Sequence, residues 1–180
     1  MKRYSFLIFI LILTIGCRPK VLQQEADGTA PTQDSDTSDC AYGAPQPTFD
    51  PNTPGVLEHS FEGNRTEATE RVKLQSGIVL TLFQTGCNDI RQEFRFELAG
   101  NYQGQPIDFW VDETIRLLRN LSALGPDYSL FLPWADQIET RKKAFRLAES
   151  VELLQGFYAA IDRIEAPDNA ILLLTLSDHP

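Results

Sequence analysis

The sequence predicts one α+β domain over residues 40–180, a largely antiparallel sheet with one or two helices packed on a face. Three observations support this. Short β-favouring runs follow one another between residues 56 and 98, one amphipathic helical stretch comes next, and β-rich runs return near the end. A chain of 180 residues that is 42% hydrophobic has room for one ordinary domain beside its other segments.

The first half of the domain carries the clearest strand signals. Four strands are predicted, at residues 56–61, 66–74, 77–84 and 92–98. Turn-forming residues such as Asn88 and Asp89 separate them. Phe94, Phe96 and Leu98 are apolar and the residues between them are charged. One face of this sheet is therefore expected to be solvated, which favours antiparallel pairing.

One helix is predicted at residues 108–124. Apolar residues recur at intervals of three or four positions between Val111 and Leu121, which gives the segment one apolar face. Gly125 and Pro126 end it. Packing of this face against the sheet is the expected role.

The rest of the domain is less clear. Residues 127–142 are predicted as a second helix, which Pro133 either begins or interrupts. Residues 144–155 fit both a helix and strands, and strands are favoured because the tail that follows resembles a hairpin. Two further strands are predicted there, at residues 157–165 and 170–176.

Three aromatic residues occur together after the predicted helix, at Tyr128, Phe131 and Trp134. Aromatic side chains in a surface connection are effective contact residues, so these three are the partner-binding candidates. The alternative is that they pack over the end of the core. The sequence leaves both interpretations open.

The N-terminus has the layout of a secretory signal. Lys2 and Arg3 precede an apolar run from Tyr4 to Ile15. As a helix the run would be about 20 Å long, shorter than the roughly 30 Å of a bilayer's hydrocarbon core, so cleavage is expected rather than a stable span. Residues 1–16 are therefore predicted to be removed.

The end of that signal, Leu13-Thr14-Ile15-Gly16-Cys17, resembles the lipobox of bacterial lipoproteins. It departs from the usual pattern at Thr14, where Leu is common. The resemblance implies that Cys17 is acylated and becomes the mature N-terminus. Arg18, rather than Asp, follows the cysteine, which implies the outer membrane of a Gram-negative bacterium. An ordinary signal peptide with an incidental cysteine is the alternative.

Residues 17–39 are predicted to be the acylated cysteine and a flexible acidic linker, because this stretch lacks aromatics and has few large aliphatics. Such a chain has an r.m.s. reach of about 25 Å. Residues 40–55 carry four prolines and are predicted to form an extended strap over the domain. With Cys17 assigned to lipid, Cys40 and Cys87 are expected to form a disulfide in an oxidising compartment, with two free thiols as the alternative.

No catalytic, metal or cofactor site is predicted. The net charge of −9 disfavours nucleic acid as a partner. The two histidines, His59 and His179, lie far apart in the chain, and His59 is expected to be a packed or edge-strand residue. Two pairs of acidic residues could in principle perform carboxylate chemistry, which depends on their separation in space, although solvated faces are the simpler account. These pairs are Asp112 with Glu113 and Glu149 with Glu152.

These observations predict a membrane-anchored envelope lipoprotein with a non-enzymatic binding or assembly domain. Its expected contacts are the membrane, through lipid, and a protein partner in the envelope. One alternative is an inhibitor of a cationic wall-degrading enzyme such as lysozyme, which the acidic charge suggests. The other is a carboxylate-based hydrolase.

Overall fold

The computed structural model describes residues 40–180. The predicted signal (1–16) and the predicted lipidated Cys17 with its linker (17–39) lie outside the described residues. The described residues form a seven-stranded antiparallel sheet and two α-helices, which confirms the α+β class. The elements are β1 Val56–Gly63, β2 Glu67–Leu74, β3 Val79–Thr85, β4 Arg91–Ala99, α1 Ile107–Ser122, α2 Phe131–Thr140, β5 Ser150–Leu154, β6 Phe157–Glu165 and β7 Asn169–Ser177.

The sheet consists of two meanders joined through β4 and β7. Its strand order is β1-β2-β3-β4-β7-β6-β5, with β1 and β5 at the edges. Burial alternates residue by residue along β2, β3, β4 and β7, so each of these strands has a buried face and a more exposed one. The alternation seen in the sequence therefore describes the sheet correctly.

Both helices lie on the buried face of the sheet, called the inner face below. α1 packs on β6 and β7, and α2 packs on α1. The apolar stripe of α1 is buried, as predicted, and includes Trp110, Leu118 and Leu121. Pro133 lies in the first turn of α2, where its missing N–H breaks no intrahelical hydrogen bond.

The proline-rich residues 40–55, called the strap, cover the part of the inner face near β2 and β3. Phe49 of the strap is buried in the core and stacks on Tyr128 and Phe131. Gly86, in the β3–β4 turn, permits the strap's close approach, because a Cβ there would lie 2.7 Å from Pro45 Cδ. The core is thus completed by the strap as well as by the helices.

The ambiguous residues 144–155 contain one strand. β5 occupies Ser150–Leu154, which agrees with the strand interpretation for that part. The residues before it do not extend the strand, because a short 3₁₀ turn at Lys142–Ala144 precedes them and Ala148 has a φ of 59°. A left-handed backbone at Ala148 interrupts the extended conformation.

Candidate functional site

The outer face of the sheet, on the side away from both helices, carries polar and charged side chains together with apolar ones such as Leu173 and Phe83. Those at its centre come from β4, β7 and β6, and strand pairing places them in rows across the sheet. One row contains Glu93, Thr175 and Ala160, and the next contains Arg95, Leu173 and Asp162. No helix of the described residues packs on this face.

A groove of about 560 Å³ crosses the outer face between β4 and β5. Its floor is formed by small or apolar side chains at Ala160, Leu173 and Thr175. On β5, Ser150 adds another small side chain at the edge. The groove's volume falls within the range of known ligand pockets.

One end of the groove lies beside the disulfide. Gly86 and Asp89, which line the groove, flank Cys87 in the β3–β4 turn. Cys87 is bonded to Cys40, so the predicted disulfide is confirmed. The strap is also hydrogen-bonded there, since the Tyr42 N–H donates to the Cys87 carbonyl at 2.9 Å. Residue 40, where the predicted linker joins the domain, is therefore fixed near the groove.

The groove lining is acidic. Four carboxylate side chains and one arginine contribute to it: Asp89, Glu93, Asp162, Asp178 and Arg91. Excess negative charge in a concave surface concentrates the electrostatic potential and attracts cations.

The carboxylates of the groove differ in their partners. Glu93 lies between Arg95 at 2.6 Å and Arg91 at 3.4 Å, so two arginines compensate its charge. Asp89 has His179 at 3.3 Å. Among residues 40–180, Asp162 forms no ion pair within 4 Å, although it is half-buried. Asp162 is thus a groove carboxylate that has no ion-pair partner in these residues, whereas the partner of Asp89 and Asp178, His179, is charged only when protonated.

A buried carboxylate on the inner face anchors the strap. Glu70 is fully buried and accepts hydrogen bonds from the backbone N–H groups of Thr48 at 2.8 Å and Phe49 at 2.9 Å. His59 Nε2 lies 2.7 Å from the same carboxylate. His59 is on the edge strand β1, as expected, and packs inward. Glu70 was not singled out from the sequence, although it occupies an inward position between Ala68 and Val72.

Two of the three aromatic residues named as partner-binding candidates are buried. Tyr128 is 4% exposed and Phe131 is 1% exposed, because both rings stack on Phe49 of the strap. The Tyr128 hydroxyl also accepts a hydrogen bond from the Asp50 N–H at 3.0 Å. Trp134 is half-buried and stacks on Phe157 with ring centres 4.7 Å apart. Packing over the core therefore explains Tyr128 and Phe131.

Three of the four carboxylates considered for hydrolase chemistry, Asp112, Glu113 and Glu152, have separate local partners. Lys142 Nζ donates to Asp112 at 2.7 Å, and this hydrogen bond raises the pKa of Lys142. Glu113 accepts from Arg116 on the same helix, which raises the pKa of Arg116. Glu152 accepts a hydrogen bond from the backbone N–H of Gly156 in the hairpin turn. These contacts assign the carboxylates structural roles on the surface.

Comparison of the chain with family models, with curated proteins and with solved structures finds no match. Within residues 40–180, no helix is long and apolar enough to cross a membrane. In the same residues, no three His, Cys, Asp or Glu side chains are grouped as ligands of a metal ion would be. The groove on the outer face is the concave site whose lining combines apolar and acidic side chains at the centre of the sheet.

Proposed function

We propose that this chain is a membrane-anchored lipoprotein of the cell envelope, and that its domain binds a protein partner through the outer face of the sheet. The observation that carries the proposal is the groove on the face that the helices leave uncovered. Binding sites are concave and few per protein, and a solvated sheet face with a groove of this size meets that description. The domain acts as a binding or assembly module.

The anchor in this proposal is lipid on Cys17. Because Arg18 follows this cysteine, the anchored chain is assigned to the outer membrane. Metabolic labelling with a fatty-acid reporter should mark the wild-type chain and leave Cys17→Ser unlabelled. Equal labelling of the two chains would exclude acylation at this cysteine.

A second candidate is inhibition of a cationic wall-degrading enzyme such as lysozyme. The acidic lining of the groove favours it, since opposite charge accelerates association and orients the partners. An equimolar amount of the chain should then slow lysozyme's lysis of bacterial walls. Unchanged lysis at a large excess of the chain removes this candidate.

The binding face is tested by placing a photo-crosslinking amino acid at single positions in cells. Ser150 lies on the groove, Leu132 is an exposed residue beside the aromatic segment, and Gln75 is exposed in the β2–β3 turn at the opposite end of the sheet. The proposal predicts one adduct of defined mass from Ser150 and none from Gln75. An adduct from Leu132 alone would show that the partner binds at the segment that contains Tyr128, Phe131 and Trp134. That result would refute the outer face as the binding face.

A further inference from the structure

The groove on the outer face combines an apolar floor with a charged rim, and this combination restricts its occupant. Leu173 and Ala160 provide apolar surface at the bottom, and Asp162 lies next to Leu173 across the strand pair. A ligand that fits both must have an apolar stem that ends in a positive charge. Lysine and arginine side chains have this form, because their methylene groups pack on apolar surface while the charged end stays polar.

Within residues 40–180, no cationic side chain forms an ion pair with Asp162. Arg95 on β4 is in the same row of the sheet as Asp162 on β6, but Leu173 on β7 lies between them. Arg95 is also engaged elsewhere, since it pairs with Glu93 at 2.6 Å and lies over the Phe83 ring at 4.2 Å. A half-buried carboxylate without a counterion is partly desolvated, so an incoming cation gains more from it than from a fully solvated one.

We propose that the groove binds a basic, extended segment of a partner protein, with a lysine or arginine of that segment paired to Asp162. This inference rests on the proposed function and specifies its ligand. The negative lining at the other end, from Asp89 and Asp178, accepts a second cation of the same segment. Nucleic acid and anionic lipid are disfavoured by the same charges.

The open shape of the groove favours a chain segment over an isolated small cation. The floor crosses β7 and β6, and the groove extends from the β3–β4 turn to Ser150 on the edge strand β5. An extended peptide presents side chains at a regular spacing of about 6.6 Å on one side, which permits two cations to reach separate carboxylates. A single small ion satisfies only one of them.

The test uses the full chain and a defined ligand, an end-blocked octapeptide of alternating lysine and alanine with a fluorescent label. Fluorescence anisotropy at about 0.15 M salt, where distant charges are screened, should show saturable binding, and Asp162→Asn should weaken it by about tenfold, the effect of losing one favourable charge pair. The matched control is Asp168→Asn, which removes one negative charge from the exposed turn at the far end of the β6–β7 hairpin. The control should weaken binding by less than about twofold, because its charge is distant and screened.

A variant that is expected to bind the peptide more tightly keeps the test valid even if Asp162→Asn folds poorly. Ser150 is exposed on the rim of the groove, so Ser150→Glu adds a carboxylate there and should tighten peptide binding. Equal weakening by Asp162→Asn and Asp168→Asn would show that only net charge matters and would overturn the inference. Absence of peptide binding to the wild-type chain would overturn it as well.

Failure of this inference can be separated from failure of the proposed function by crosslinking from Ser150 in cells. If the adduct forms in both wild type and Asp162→Asn while the peptide does not bind, the outer face binds a partner that is not basic. The proposed function then stands and the inference is wrong. If the peptide binds through Asp162 but no adduct forms in cells, the groove recognises basic segments and the proposed envelope partner is wrong.

Discussion

Replacement of Glu70 by glutamine is the most informative perturbation of the fold, because one buried carboxylate attaches the strap to the sheet. Its two oxygens accept the N–H groups of Thr48 and Phe49 and contact His59. Glutamine keeps the size of the side chain but has one acceptor oxygen and an NH₂ group. One strap N–H therefore faces a donor in place of an acceptor.

The size of the effect follows from these contacts. A buried donor left without an acceptor costs about 1–3 kcal/mol, and the remaining hydrogen bonds lose about 1 kcal/mol because the acceptor is no longer charged. Removing the buried charge of Glu70 would by itself raise the free energy of unfolding. This gain is small, because three hydrogen-bond donors already offset the cost of burying the charge in the wild type. We expect the free energy of unfolding to fall by about 2 to 4 kcal/mol, or on the order of 10 °C in Tm.

Urea unfolding of the full chain measures this change, and amide hydrogen exchange locates it. Exchange at Thr48 and Phe49 should accelerate more than exchange in the central strands, since the strap loses its anchor first. Glu67→Gln, on the same strand but exposed, is the matched control and should stay within about 0.5 kcal/mol of wild type. Equal stability of the two variants would refute the anchoring role of Glu70.

Three further predictions concern the strap, the core and the surface. Replacing Cys40 and Cys87 with serine should lower the free energy of unfolding by about 4 kcal/mol in urea titrations, and an unchanged midpoint would contradict the stabilising role of the disulfide. Tyr128→Ser should lower it by about 3–5 kcal/mol, as for other buried aromatics, whereas a loss below about 1 kcal/mol would mean that the ring is not core. The hydrogen bond from Lys73 lowers the pKa of Glu58. The stabilisation that this pair gives the folded state is therefore lost as the pH falls through the lowered pKa. Lys73→Met should raise this pKa towards 4.5 in an NMR titration, and an unmoved pKa would exclude the pairing.

The sequence predicts features that depend on local periodicity. The alternation at Phe94, Phe96 and Leu98 identified β4 and its buried face, and the apolar spacing identified α1 within two residues at each end. Such patterns follow from the geometry of one strand or helix. The disulfide was also predictable, because only Cys40 and Cys87 remained to pair.

Features that depend on contacts distant in sequence were harder to predict. For Tyr128 both a contact role and packing over the core were open, because its burial depends on the strap, where the N–H of Asp50, 78 residues away, donates to its hydroxyl. The groove requires β5, β6, β7 and β4 to lie side by side, an order that no local pattern specifies. Glu70 did leave a signal, since it is the one acidic residue in the inward register of β2.

Coverage of the outer face in the envelope tests the central claim most directly. Thr175→Cys places a thiol in the groove, and Ser76→Cys places one in the exposed β2–β3 turn at the other end of the sheet. The rate of maleimide labelling is compared between intact envelopes and purified protein for each variant. The account predicts slower labelling of Thr175→Cys in envelopes, by about tenfold if the face is mostly occupied, and an unchanged rate for Ser76→Cys. Equal rates in the two preparations for both variants would contradict binding through the outer face.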